Sequence, residues 1–275
     1  MDHPIDAAHK TYEPFYDSFD SPLMRQVRRE AYDEDIGQHS WVTAADLRSD
    51  AARLALPVGG VLLDLGCGPC GPLTFVMLAT GCHGIGLDAS PAALEAGRTR
   101  AESVGVALRI RLEAADLDEP IPLPDNCVDA AMSLDVVLHV RDRLHALREV
   151  ARVLKPGARV LFTDAGVVTG SISNEDVIAR CLHGFSQFCA AGFNERMLEQ
   201  AGFELLESEN RTAALIATAA GRRAARLKHQ AALERIEAAA GFTRYQAYLQ
   251  AVISLAERGA LSRMMYLAQR REDSP

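Results

Sequence analysis

Residues 61–75 read VLLDLGCGPCGPLTF: an apolar run carrying one acid, then Gly66, Gly68 and Gly71, then a helical pattern opening at Pro72. That order specifies a buried parallel strand, a tight loop and a helix N-terminus. Glycines let the backbone turn sharply and approach a ligand closely, and the open N–H groups of the helix start favour an anionic group. The stretch has the geometry of a nucleotide site, and its neighbours have to say which nucleotide.

Outward from it, the chain alternates. Strand patterns stand at 61–65, 83–88 (HGIGLD), 108–115, 128–134 (VDAAMSL) and 158–164 (ARVLFTD), separated mostly by helical patterns. Such alternation implies right-handed crossovers and a parallel sheet covered by helices on both faces. Ser90-Pro91 supplies an N-cap with proline at the first helical position, and Gly105 closes that helix. Residues 142–154 place Leu144, Leu147, Val150 and Leu154 on one helical face before Lys155-Pro156-Gly157 stops it. Residues 174–203 read as two helices, FELLESEN (203–210) as a strand, 212–259 as almost wholly helical, and LSRMMYLAQR (261–270) as a last strand.

The segment ahead of the first strand holds no strand pattern and gathers Tyr12, Phe15, Tyr16, Phe19, Tyr32 and Trp41. These rings either fix a helix pair to the body or form part of a lid. Residues 34–43, EDIGQHSWVT, are the best lid piece, because Gln38, His39 and Ser40 set polar groups beside Trp41. The expected organisation is a helical lid over 1–56, a core formed by 57–211 and 260–275, and a helical insert over 212–259 for acceptor recognition or oligomerisation, a homodimer included.

The 275 residues carry a net charge of -8, which argues against a broad nucleic-acid surface and for a small-molecule partner. No apolar run approaches the roughly 20 residues that span a bilayer, and MDHPIDAAHK has neither the basic nor the apolar region of a signal peptide. No membrane partner and a cytoplasmic location are expected. The six cysteines lack regular spacing and read as reduced thiols.

Gly66 to Gly71 satisfies G-x-G-x-x-G and Asp88 stands where a ribose-binding acid would, so an NAD-dependent oxidoreductase is one reading. Asp64 speaks for another, since a carboxylate two positions before the loop suits a ligand bearing an ammonium group. With DLGCGPCGP (64–72), GIGLDASPAALE (84–95), the acid in EAADL (113–117), PLPDNCVDAAMSLDVVLHV (122–140) and REVARVLKPGARVLFTD (148–164), the sequence resembles the class I S-adenosylmethionine-dependent methyltransferases, in their small-molecule branch. Cys70 departs from that pattern, standing where a third glycine is usual.

The resemblance implies a Rossmann-like α/β fold with a seven-stranded sheet, its last strand antiparallel, and methyl transfer from S-adenosylmethionine, by in-line displacement and without a metal, to a nitrogen, an oxygen or an activated carbon of a small molecule. It implies that Asp64 and the Gly66-Cys67-Gly68 backbone hold the methionine part, that Asp88 binds the ribose hydroxyls, and that Ala89, Asp116 and Leu117 surround the adenine. Ser133, Gln38 and Ser40 complete the expected cofactor set. A non-catalytic module that only binds the cofactor remains a further reading.

A general base belongs at the C-terminal ends of the strands. His139 is the first candidate, since its imidazole titrates near neutrality; Asp135 and Asp164 are alternatives, and each also suits a capping role. Tyr16, His39, Trp41, His183 and Tyr245 are the expected acceptor-side residues, with Tyr248 beside Tyr245. Cys67 and Cys70 form a CxxC that is already committed to the loop, so zinc is not expected. Cys181 and Cys189, eight apart in a helical pattern, suggest thiolate binding of an arsenic-type acceptor or two small buried side chains. Arg222, Arg223, Arg226 and Lys228 read as a solvated helix face, or as a docking site for an anionic acceptor such as a carboxylate or phosphate.

Overall fold

The computed structural model describes residues 16, 18–182 and 185–272. Tyr12, Phe15 and His183, with the roles expected of them, lie outside the described residues.

Helices α1 (Pro22–Ala31) and α2 (Ala44–Arg53) lie ahead of the sheet, capped by the side chains of Ser21 and Thr43. The alternating part runs β1 (Val61–Leu65), α3 (Gly71–Thr80), β2 (His83–Asp88), α4 (Pro91–Ser103), β3 (Ile110–Ala114), β4 (Val128–Leu134), α5 (Arg143–Val153) and β5 (Leu154–Val168). Then follow α6 (Asn174–Arg180), β6 (Cys189–Ala190), α7 (Phe193–Gln200), β7 (Phe203–Asn210), α8 (Thr212–Lys228), α9 (Gln230–Glu257) and β8 (Leu261–Arg270). Ser90 caps α4 with Pro91 at its first turn, as its sequence requires.

The strands lie in the order β3-β2-β1-β4-β5-β8-β7. All neighbours pair in parallel except β8, which is antiparallel to both β5 and β7. The sheet has eight strands rather than seven, because the two-residue β6 adds to the far end of β5. Strand β5 is also longer than the pattern at 158–164: Leu154 pairs with Val128 and Arg159 with Ala130, so Lys155-Pro156-Gly157 is a bulge inside the strand.

Alternation along the strands feeds two apolar layers. Leu62, Ala130, Met132 and Leu161 pack with α2, α3 and α4, while Leu63, Leu65, Ala131 and Phe162 pack with α5 and α7. Over one end of the sheet the N-terminal segment and the insert join in a single cap. Trp41 packs with Leu215 and Ala219 of α8 and with Tyr245, Tyr248 and Leu249 of α9, and Val27 of α1 packs with Ala225, Leu233 and Phe242. The approach of α1 to α8 is close enough that a Cβ at Gly221 would stand 2.5 Å from the Ala31 carbonyl oxygen. Helix α9 is broken at Ala238, whose φ is 58°.

Candidate active site

The loop after β1 explains its own composition. Gly66 and Gly68 have φ of 71° and 52°, and Cys70 follows at 58°, so three left-handed residues fold the chain back between strand and helix. Cys70 thus occupies a conformation in which a non-glycine residue is strained by roughly 1–2 kcal/mol, which is why glycine suits that position. Its thiol fills the space that Gly97 of α4 leaves open and lies 3.6 Å from the Cys67 sulfur. Gly71 is a glycine for another reason: a Cβ there would stand 2.1 Å from the Gly37 carbonyl oxygen, where the lid segment crosses the loop.

A cavity opens at this end of the sheet. From the strand ends and their loops it is lined by Asp64, Gly66, Cys67, Gly68, Asp88, Ala89, Ala115, Asp116, Leu117, Asp135, Val136 and His139. The N-terminal segment adds Tyr16, His39, Ser40 and Trp41, and the helices and connections after β5 add Arg180, Phe185, Arg222, Tyr245 and Tyr248. Asp88 accepts from the Gly68 N–H (2.8 Å) and the Ser90 N–H (2.9 Å), which aims its carboxylate across the loop. Asp116 accepts from the Asp118 N–H at 3.0 Å.

Asp64 is the unusual member. It is 2% exposed, and burial, reinforced by Asp88, pushes its carboxyl up to about 8. No hydrogen bond or ion pair from the described residues compensates it. A buried carboxylate left in this condition is strongly disfavoured unless a cationic group joins it. The buried Ser40 hydroxyl, also on the cavity wall, has no hydrogen-bond partner among the described residues. An elongated ligand with an ammonium group at the Asp64 end and hydroxyls at Asp88 fits these donors and acceptors.

Two histidines face the cavity and both are held neutral. Burial, then the charges of Arg222 and Arg28, push His39 down to about 3. Burial lowers His139 as well, against the opposing effect of its hydrogen bond to the Phe185 carbonyl. That bond, 2.8 Å from Nδ1, requires Nδ1 to carry the proton, because a carbonyl only accepts; Nε2 is then the basic nitrogen.

Three expected site residues are elsewhere. Gln38 is spent on its own turn, accepting from the Ile36 N–H and donating to the Glu34 carbonyl. Ser133 points beneath the sheet end and donates to the Leu65 carbonyl, while its neighbour Leu134 takes the cavity side. Asp164 is fully buried, 2.7 Å from the Arg143 guanidinium, and accepts from Asn194 and the Gly166 N–H. A carboxylate so compensated braces a fold and is no base. Asp135 does face the cavity but is similarly engaged with Arg263, Thr163 and the Trp41 N–H.

Other readings change too. Cys181 and Cys189 share no helix face, since α6 ends at Arg180, and neither lines the cavity. The basic run on α8 divides: Arg222 lines the cavity, Arg226 is buried against Glu237, and Lys228 is exposed beside Glu30. Arg180, Phe185 and Arg263 were not anticipated. Only Arg263 left a trace in the sequence, as a charge directly before the apolar run 264–268 of its strand.

A family model described as a methyltransferase domain matches residues 63–162, from β1 to β5. An O-methyltransferase of Aspergillus nomiae is 30% identical over 167 residues, which cover 58% of this chain and 71% of that one. The chain belongs to the class I S-adenosylmethionine-dependent methyltransferases. The methyltransferase GfsG of Streptomyces halstedii is 33% identical over 161 residues, 56% of each chain. Matches to the first curated relatives span about half of those proteins' lengths. Among solved structures, a cyclopropane synthase of Mycobacterium tuberculosis superposes with a TM-score of 0.81 at 16% identity, over 95% of this methyltransferase and 98% of that chain, which shows the shared fold. No helix among the described residues is long and apolar enough to cross a membrane.

Proposed function

We propose that this chain transfers a methyl group from S-adenosylmethionine to a small-molecule acceptor, at a hydroxyl oxygen. The uncompensated Asp64 carries this reading, because a buried acid just ahead of a glycine loop has its function only when a ligand's ammonium group meets it. Asp88 would hold the ribose hydroxyls, and Ala89, Asp116 and Leu117 the adenine. When bound, S-adenosylmethionine supplies an electrophilic methyl group on a cationic sulfur that departs as a neutral thioether.

The remaining tasks fall to the protein's own residues. The cap formed by the lid segment, α8 and α9 excludes water and holds an acceptor against the loop, and orientation of this kind supplies up to roughly 7–11 kcal/mol of a two-reactant barrier. His139 would take the hydroxyl proton at Nε2 while Nδ1 stays fixed on the Phe185 carbonyl. Oxygen is favoured by this neutral base and by the O-methyltransferase among the relatives.

Two measurements test the reading. Titration calorimetry should detect S-adenosylhomocysteine and not NAD; the reverse would make the chain a dehydrogenase-like binder. Incubation with methyl-labelled S-adenosylmethionine and a metabolite extract should move label into the small-molecule fraction as an ether. Cofactor binding without transfer in any extract would reduce the protein to a binding module.

A further inference from the structure

We propose that the acceptor carries an anionic group, a carboxylate or a phosphate, received between the guanidinium groups of Arg180 and Arg222. This rests on the methyl-transfer reading and adds the acceptor's charge to it.

Five of the other buried arginines are each matched with an acid, Arg28 with Asp35, Arg143 with Asp164, Arg211 with Asp50, Arg226 with Glu237 and Arg263 with Asp135, while Arg270, outside the cavity lining, donates to Asn126 and the Leu154 carbonyl. Arg180 and Arg222 are different. Arg180, 4% exposed, donates to the Tyr248 hydroxyl (2.9 Å) and towards the Ala165 carbonyl (3.5 Å). Arg222 donates to the Tyr245 hydroxyl and the His39 carbonyl. Neither is ion-paired with a carboxylate among the described residues, and both line the cavity. Neutral acceptors orient a guanidinium without cancelling its charge, so two positive charges stand uncompensated in a site shielded from water.

Their arrangement is that of a receptor. Tyr245 and Tyr248 meet edge-on with ring centroids 5.8 Å apart, and each hydroxyl accepts from one cavity guanidinium, so Arg180 and Arg222 are both held on the tyrosine pair. A guanidinium presents five N–H donors in a planar fork that matches the oxygens of carboxylate or phosphate. The first two donors of each fork fix its direction, and the rest remain for a ligand. Asp64, Asp88 and Asp116 line the cavity from the ends of β1 and β2 and the turn after β3, whereas Arg180 and Arg222 enter it from α6 and α8. The lining is therefore acidic along the strand ends, where the cofactor belongs, and basic along the helices, where the acceptor belongs.

A cationic acceptor is disfavoured by the same geometry. Trp41, Tyr245 and Tyr248 would make an aromatic cage for an ammonium group, but Arg222 already stands over the Trp41 ring at 4.8 Å and Arg180 over Tyr248 at 5.3 Å. The protein's own cations fill the faces such a ligand would need.

Trp41 is the single tryptophan of the chain, so its emission reports on this end of the cavity. With the protein saturated by S-adenosylhomocysteine, benzoate, phenyl phosphate, benzyl alcohol and phenyltrimethylammonium are each titrated while that emission is followed. Benzoate or phenyl phosphate should bind at least about tenfold more tightly than the other two, as expected for a charge-assisted hydrogen bond, and the tighter of the two anions identifies the group. Arg180→Gln should remove the anion preference while leaving the weak benzyl alcohol response. Benzyl alcohol or phenyltrimethylammonium binding as tightly as both anions would overturn the proposal on the unaltered protein, whatever the variant does. Calorimetry of S-adenosylhomocysteine separates the two failures. If it binds and the anions gain nothing, only the acceptor's charge is wrong; if it does not bind, the methyl-transfer reading falls first.

Discussion

Asp135 accepts the Trp41 backbone N–H at 2.9 Å, tying the lid segment to the end of β4. The same carboxylate takes the Nε and Nη2 donors of Arg263, which is fully buried in β8. Asp135 has a φ of 61°, a left-handed turn that brings its side chain back over the sheet end. One residue therefore joins lid, strand β4 and strand β8, and the cap's position over the cavity depends on it.

Removing that carboxylate leaves a buried guanidinium without a counter-charge. Asp135→Ala should destabilise the protein by about 3–5 kcal/mol, the usual consequence of breaking a buried pair from one side. Urea denaturation checks this. Asp135→Ala combined with Arg263→Met should recover much of the loss, because an apolar pair of similar volume needs no compensation.

Gly71 and Gly37 define how closely the 34–43 segment lies on the glycine loop. Gly71→Ala puts a methyl group 2.1 Å from the Gly37 carbonyl oxygen, backbone that moves only if the lid moves. The expected outcome is a loss of about 1–3 kcal/mol in stability, together with weaker S-adenosylhomocysteine binding as Ser40 and Trp41 are displaced. Thermal melts and calorimetry measure the two effects separately.

Cys70 and Gly97 should behave as a coupled pair. Gly97→Ala alone places its Cβ 2.7 Å from the Cys70 sulfur and should destabilise. In a Cys70→Gly background the sulfur is gone, and the same substitution also favours the helix by lowering backbone freedom. A double-mutant cycle should give a coupling of about 1 kcal/mol or more; additive effects would mean that the two side chains do not share this space.

Asp64 links pH to both stability and binding. Its carboxyl is raised from 3.8 to about 8, so between these values the ligand-free folded state holds a proton that the unfolded chain has lost. The stability this gives is fully present below 3.8 and disappears as pH rises through about 8. Asp64→Asn should flatten that decline and raise the ligand-free melting temperature at alkaline pH, while sharply weakening S-adenosylhomocysteine binding. In the unaltered protein the ligand's ammonium group favours the ionised acid. Affinity should climb with pH up to about 8, and binding near neutrality should release a proton, seen as a dependence of the calorimetric heat on buffer ionisation enthalpy.

The strands that VLLDL, HGIGLD, VDAAMSL, FELLESEN and LSRMMYLAQR spell out are found at those residues; the central ones are short apolar runs bounded by turn signals, while FELLESEN, at the sheet edge, is mostly polar and exposed. Strand β6 had no such signal. Its two residues owe their place to Arg143, which reaches the Gln187 carbonyl and the Cys189 sulfur from α5, a relation no local pattern encodes. The glycine loop and its acids were legible for the same local reason as the strands. Which side chains of a loop turn inward was not: Gln38 and His39 are adjacent and equally polar, and the closing hydrogen bonds of the 34–38 turn decide that Gln38 is consumed. On α8 Arg222 and Arg226 share one face a turn apart, the first reaching the cavity and the second Glu237, while Lys228 is turned to solvent, so one basic run has three destinations once α1 and α9 are packed around it.

His139 is the residue whose substitution speaks most directly to chemistry. Its Nδ1–H is held by the Phe185 carbonyl and burial lowers its affinity for a proton, so the imidazole is neutral at physiological pH, with Nε2 the unprotonated nitrogen. If it is the base, His139→Ala should reduce kcat by about 10²- to 10⁴-fold and change S-adenosylmethionine binding little. The pH profile gives an independent check: kcat should fall as pH drops through a value below the ordinary imidazole range, since only the unprotonated ring works. His39 is pushed to about 3 and stays neutral throughout that window, so His39→Gln should leave the acid limb where it is. A His139→Ala enzyme with unchanged kcat and an unchanged limb would make the ring a packing element that positions Phe185 at the cavity wall.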